Sequence, residues 1–154
     1  TLIHTLVAYN RLANSAMADV LPSRPDVVER PDTTHYGSVL DLLAHIAGAD
    51  YFWYRRCGVI NKRNEAHKAY LLTISSPADN PFASFDEWRV YRTGLDEFLV
   101  AWARQVSDTD IDRIVLHMCN HATHHRGQIA QVLDEAGVEN DYSNLIWYLR
   151  DGEI

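Results

Sequence analysis

The feature of this sequence that most restricts its fold is a 3.6-residue spacing of apolar side chains in four long segments. Such spacing places the apolar residues on one face of a helix. The segments span about residues 2–20, 36–56, 84–106 and 111–136. Strand-like alternation of apolar and polar residues does not persist anywhere for even five residues. The pattern predicts an all-α fold, a four-helix bundle formed by a single domain over residues 1–154.

Particular residues indicate where these helices begin and end. Pro22 and Pro25 end the first helix, and Gly137 ends the fourth. Ser84, followed three residues later by Glu87, predicts a capping box at the start of the third helix. The second helix has three candidate caps: Asp32, Thr33 and Thr34. Two shorter helices are also expected, one over Glu65–Leu72 and a C-terminal helical turn in "DYSNLIWYLR" that packs back on the body.

Charge and composition restrict the partners. The net charge is −7 and the longest basic run is Arg55-Arg56, so the basic surface typical of nucleic-acid-binding proteins is missing. Apolar runs are too short to span a bilayer, and the first residues lack the basic and small-residue regions of a signal peptide. The two cysteines, Cys57 and Cys119, are too few for a disulfide framework. We therefore expect a cytoplasmic protein with two free thiols, and neither nucleic acid nor membrane as a partner.

The stretch "HMCNHATHHRGQIAQVLDEAG", residues 117–137, contains four of the eight histidines within nine residues. On a helical wheel advancing about 100° per residue, His125 falls inside the apolar arc and His121 falls at its edge. His117 and His124 fall on the flank. His121 and His125 are one turn apart, a spacing that lets two imidazoles reach one metal ion. The arc itself is formed by Ile114, Met118, Ile129, Val132, Leu133 and Ala136.

A third ligand has to come from another helix, because two imidazoles do not make a tight site. The candidates are His4, His35, His45 and His67. Only His45 lies in the middle of a predicted helix beside an apolar stripe, where helical bundles commonly build metal sites. The alternative is that each histidine is a packing residue, with His45 lying against Trp53.

Three neutral imidazoles on one ion leave at least one position for water, as in catalytic sites. A ligand set without carboxylates favours zinc or nickel over magnesium or manganese. Cys119 points away from the histidine face and is left out of the set. The pattern thus predicts a divalent metal ion as the cofactor, most simply zinc or nickel.

The segments "LAHIAGADYFWYRR" and "HMCNHATHHRGQIAQVLDEAG" together resemble the DinB family of bacterial four-helix proteins, and "AYNRLAN" is similar to that family's first helix. The resemblance implies an up-down-down-up bundle, a homodimer, and a divalent metal on one histidine of the second helix and an HxxxH pair of the fourth. Carried over by position, these are His45, His121 and His125. The connection before the histidine helix, "SDTDIDRIVLHM", is shorter than is usual in the family.

The family includes thiol-dependent S-transferases and isomerases, and some members are described as metal-dependent hydrolases. The resemblance therefore implies a small-molecule substrate and, for a transferase, a low-molecular-weight thiol. The alternative is a non-catalytic, stress-response protein whose metal is structural.

Four residues near the predicted ligands are candidates for supporting roles. His124 is a candidate catalytic residue as a proton shuttle, and Arg126 as a group that binds an acidic substrate or pairs with Asp50. For both, a solvated or dimer-facing side chain is the alternative. Gln128 and Asp41 are each one turn from a predicted ligand and are candidates for orienting His125 or His124, and His45, through hydrogen bonds.

Overall fold

The computed structural model of the chain describes residues 1–60, 80–105 and 109–154, with the side chains of 109 and 110 left aside. Regular structure in these ranges is helical throughout, so the all-α prediction is confirmed for them. The helices are α1 (Leu2–Val20), α2 (Pro25–Val28), α3 (Val39–Arg56), α4 (Phe85–Ala103), α5 (Thr109–Glu135) and α6 (Leu145–Arg150). The predicted helix over Glu65–Leu72, the candidate ligand His67 and part of the short connection before α5 lie outside the described residues.

The first helix has the predicted bounds, whereas α3 begins three residues later than predicted. Its cap is Ser38, whose Oγ accepts from the backbone N–H of Asp41 at 3.1 Å, while the Asp41 carboxylate accepts from the N–H of Ser38 at 2.9 Å. The earlier candidates are wrong because Thr34 and Gly37 close a tight turn through two backbone hydrogen bonds of 2.8 and 3.1 Å. Gly37 has a φ of +112°, and a Cβ there would lie 2.6 Å from the Asp41 carboxylate.

The start of α4 confirms Ser84 as the cap, with its Oγ accepting from the N–H of Glu87 at 3.3 Å. In a capping box the Glu87 carboxylate would also accept from the backbone N–H of Ser84. Here it accepts instead from the N–H of Ala83 at 2.8 Å. The helix ends at Ala103, a little before the predicted boundary near residue 106.

The four long helices pack on one another in a ring. Helix α1 contacts α4 and α5, and α3 contacts the same two helices from the other side. Phe52 of α3 lies outside the core: it is 46% exposed because it lies six residues after the buried Ile46, about 240° around the helix. The centre is filled by fully buried side chains that include Met17, Leu42, Leu43, Trp88, Leu95, Met118, Ile129 and Leu133.

The C-terminal segment packs back on the body, as predicted. The Tyr9 hydroxyl donates to the carbonyl of Ser143 at 2.8 Å, and the Tyr148 ring meets the Tyr9 ring edge-on. The Tyr142 hydroxyl donates to the carbonyl of Arg126 at 3.2 Å, so this segment also covers α5. Three large apolar side chains of α6 stay exposed: Ile146, Trp147 and Leu149.

Both cysteines are free thiols, as predicted. Cys119 is buried, and burial raises the pKa of its thiol to about 12. Cys57 is half-buried at the end of α3, where it lines a cavity of about 260 Å³ with Trp53 and Ile114. Within the described ranges, none of the helices combines the length and the apolar character that crossing a membrane requires.

Candidate metal centre

Three histidines from two helices converge at the contact between α3 and α5. His45 comes from the middle of α3, and His121 and His125 come from one face of α5. Each offers one ring nitrogen, and these atoms all lie within 4.8 Å of one another. The ring centroids are 4.4 to 5.2 Å apart. The structure therefore brings together the three residues that the sequence selects.

The facing nitrogens are Nε2 of His121 and Nε2 of His125, which lie 3.1 Å apart. The side-chain oxygen of Gln128 lies 2.7 Å from Nδ1 of His125, as the one-turn spacing predicts. Because that oxygen only accepts, Nδ1 carries the proton and the Nε2 lone pair of His125 is directed at His121. Gln128 thus selects the tautomer that a metal ligand needs.

Burial and crowding keep His121 and His125 neutral. Burial first, and then the neighbouring His125, His45 and His117, lower the pKa of His121 to about 4. Burial also lowers the pKa of His125, against the raising effect of its hydrogen bond to Gln128. Neutral imidazole is the form that binds a metal, so His121 and His125 are in their binding form at neutral pH.

The spacing of the two Nε2 atoms fits a metal ion. Zinc–imidazole bonds of about 2.0–2.1 Å in a tetrahedral site separate two ligand nitrogens by roughly 3.3 Å, close to the 3.1 Å seen here. The cluster of ring nitrogens consists of nitrogen donors alone, the set that zinc, nickel and copper prefer. These residues therefore fit a divalent transition-metal ion.

A model of the DinB family matches residues 1–152 of this 154-residue chain. The chain belongs to the DinB family. Searches of curated proteins and of solved structures found no significant match. Family membership and the three-histidine cluster together fit a metal-binding protein.

Tyr36 also lies at the three-histidine cluster, although the sequence pattern did not indicate it. Its ring stacks on that of His45 with centroids 4.0 Å apart and planes 19° apart, and it meets His125 edge-on at 5.5 Å. The tight turn closed by Thr34 and Gly37 places it there. Its position before the helix carries no periodic signal, so only the glycine after it indicates a special turn.

Two further histidines of α5 surround the cluster. The exposed His124 packs its ring against His125, with centroids 5.0 Å apart. His117, also exposed, lies one turn before His121 and meets the ring of Trp53 at 5.7 Å. Both are therefore at the solvent side of the site.

Arg126 does not lie where the prediction placed it. The substrate-binding interpretation and the solvated or dimer-facing alternative both put it at an accessible surface, whereas its side chain is fully buried. Its guanidinium donates to Asn10 at 2.6 Å and to Asn14 at 2.9 Å. The expected pairing of Arg126 with Asp50 is wrong as well, because the ion-pair partner of Asp50 is Arg92.

The remaining candidate residues serve other contacts. His4, in the first turn of α1, has its ring Nε2 2.5 Å from the carbonyl oxygen of Ala103. The exposed His35 contacts the ring of Tyr36. Asp41, predicted to orient His45, completes the cap of α3 and accepts from Asn80 at 2.9 Å.

Proposed function

We propose that this chain is a metalloenzyme in which His45, His121 and His125 bind one divalent ion, zinc or nickel. The observation that supports this most is the convergence of three imidazoles from two helices. Three protein ligands leave at least one position of the ion for another molecule. A bound ion would lower the pKa of a thiol or a water molecule at that position and so make a nucleophile at neutral pH.

The residues around the ligands have distinct proposed roles. Gln128 holds the ring of His125 in its tautomer through their 2.7 Å contact. His124 is exposed beside His125 and is the proposed proton shuttle between the site and solvent. Tyr36 covers one face of His45 and forms the wall against which the organic part of a small substrate packs. Arg126 is no longer proposed to contact the substrate, because it is fully buried.

The reaction class follows from what the family resemblance implies. We propose transfer of a low-molecular-weight thiol to an electrophile as the main activity and hydrolysis as the other form of the same chemistry. The homodimer, the single domain over residues 1–154 and the cytoplasmic location remain proposals of the same kind. So does the absence of nucleic acid or membrane as a partner.

The up-down-down-up bundle is the proposed topology. Contacts between α1 and α4 pair early with late residues, Asp19 with Arg89 and His4 with Ala103, which supports opposite directions. Asn10 of α1 contacts Arg126 of α5, and Arg24, which follows α1, contacts Ala136, which follows α5; both pairs support the same direction for these two helices. Trp53 against His117 and His45 against His121 support opposite directions for α3 and α5.

Metal analysis of the purified protein tests the ligand set. We expect about one zinc or nickel ion per chain, lost in His121→Ala and kept in the matched variant His124→Ala. Stoichiometric metal in His121→Ala would refute the assignment. An assay with a small electrophile then separates the two reactions, because turnover only with added thiol identifies the transferase.

The alternative is a structural metal in a non-catalytic protein. It is favoured by one observation: the three ligands join two different helices, so an ion among them would hold α3 to α5. This alternative predicts that chelation lowers the melting temperature strongly and that added thiols do not change the optical spectrum of the cobalt-substituted protein.

A further inference from the structure

An unbroken series of buried hydrogen bonds runs through all four long helices. Its members are Asp50 of α3, Arg92 and Asp96 of α4, Asn14 of α1 and Arg126 of α5, each at most 4% exposed. Arg92 donates to Asp50 and, at 2.6 Å, to Asp96. Asn14 donates to Asp96 at 2.9 Å and accepts from Arg126 at 2.9 Å. We call these five residues the polar chain.

The polar chain and the histidine cluster complete one ring. The long helices touch in the order α3, α4, α1, α5 and back to α3. The polar chain crosses the first three of these contacts, and the three histidines lie at the fourth, between α5 and α3. The two ligand-bearing helices are therefore joined by hydrogen bonds around the far side of the protein.

Both ends of the polar chain lie on the helices that carry the predicted ligands. Arg126 follows His125 directly and also donates to Thr123 at 3.0 Å, between the two ligands of α5. Thr123 in turn donates to the carbonyl of Cys119 at 2.9 Å. Asp50 lies five residues after His45 on the same helix, less than two turns away.

Stability alone is a weak reason for such a chain. Buried ionic groups lose their hydration, and apolar residues of similar size often stabilise a core as well or better. Directional bonds do what apolar contacts do not: they specify one rotation and one register between helices. Asn14 is well suited to this, since its amide must donate on one side and accept on the other.

We propose that Arg126 is a positioning residue that, through Asn14 and Asp96, sets the register of α5 against α3 and so brings His121 and His125 to His45. The consequence for metal affinity rests on the proposed function. The placement of the rings does not, because it is a property of the metal-free protein.

Two matched variants test this. Asn14→Leu breaks the polar chain in its middle, whereas Tyr9→Phe removes the hydrogen bond of a similarly buried residue of α1 to Ser143, outside the polar chain. In the metal-free proteins, nuclear Overhauser contacts between the rings of His45 and His125, 5.0 Å apart here, report the register. Cobalt(II) titration followed by visible absorption reports affinity and coordination.

We expect Asn14→Leu to lose the ring contacts, to weaken cobalt binding by about tenfold or more and to shift its absorption bands. Tyr9→Phe is expected to keep the contacts, the spectrum and the affinity within about threefold, although its melting temperature also falls. Equal ring contacts and equal affinities in the two variants would overturn the proposal and leave the polar chain as a stabilising element only.

Asp96→Asn covers the case in which Asn14→Leu does not fold. It keeps the shape but turns an amide N–H₂ against either Arg92 or Asn14, so we expect the same changes in ring contacts and affinity. Unchanged ring contacts in a folded Asp96→Asn protein would refute the positioning role. If the unmodified protein binds no cobalt, the proposed function fails, and the ring contacts still decide the positioning role.

Discussion

The histidine cluster and the polar chain are two groups of polar side chains inside one helical protein, and they are built in opposite ways. In the polar chain, unlike groups meet: Arg92 lies between the carboxylates of Asp50 and Asp96. In the cluster, like groups meet: Nε2 of His121 faces Nε2 of His125 at 3.1 Å. The two arginines and two aspartates of the polar chain balance one another's charge, whereas the cluster gains most from a cation.

This difference separates a structural polar network from a binding site. Arg92 is held charged, because the neighbouring Asp96 and Asp50 raise its pKa against the lowering effect of burial. His121 is held uncharged, with a pKa of about 4, because burial and four other imidazoles disfavour its protonated form. Its Nδ1 is buried and has no hydrogen-bond partner among the described residues. Four predictions use this contrast.

The largest effect is expected in the polar chain. Arg92→Met leaves Asp50 and Asp96 buried without their counter-charge, and we expect a loss of about 3–5 kcal/mol of unfolding free energy, measured by urea denaturation. The matched control is Arg89→Met, whose partner Asp19 is exposed and whose loss should be at most about 1 kcal/mol. Equal losses in the two variants would contradict the assignment of the network to the core.

Removing one of the three ligand side chains should weaken metal binding without unfolding the protein. His125→Ala is expected to weaken zinc binding by more than about 100-fold, above the range for residues that only support a ligand. In His124→Ala, which changes the exposed neighbouring residue in the sequence, the zinc affinity should stay within a few-fold of that of the unmodified protein. Competition titration with a chromophoric chelator measures both, and similar affinities would show that the histidine face is misassigned.

Gln128 is expected to have an intermediate effect. Gln128→Ala removes the acceptor that holds His125 in its tautomer, so metal affinity should fall by about 10–100-fold. Gln131→Ala is the control, because this exposed residue of the same helix bonds to Glu135. An affinity of Gln128→Ala equal to that of the control would mean that the 2.7 Å contact does not orient the ring.

The smallest effect concerns the metal-free protein and pH. His121 has a pKa of about 4 when folded against 6.5 ordinarily, so the unfolded chain binds more protons between these values. Stability should therefore fall as the pH drops from about 6.5 toward 4. Urea denaturation in the presence of a chelator at several pH values checks this, with His121→Asn expected to show a shallower slope. An identical slope would remove His121 as the cause.

The helices and the convergence of the histidines could be predicted because both depend on single-helix periodicity. The inward direction of His121 and His125 follows from one helical wheel, and that of His45 follows from the apolar stripe of its own helix. Where two helices each have a polar group on the inner face, the interior brings the groups together. Whether they bind metal is a further question that the periodicity does not answer.

The polar chain could not be predicted for a related reason. Arg126 lies beside the ligands in sequence, yet its partners Asn10 and Asn14 are on another helix, and nothing in the local pattern gives the rotation of α1 against α5. The predicted start of α3 was wrong because the turn before this helix depends on the backbone conformation of one residue, Gly37. That turn also determines the position of Tyr36, which no helical pattern indicates.

The two thiols differ enough in burial that one of them can be labelled selectively with a fluorescent dye. Cys119 is 3% exposed and has a pKa of about 12, so alkylating dyes will not modify it at neutral pH. Cys57 is only half-buried, just after the end of α3, where it lines a cavity together with Ile114 of α5. A single fluorophore can therefore be attached at a native position, and its emission would follow separation of the two ligand-bearing helices in real time.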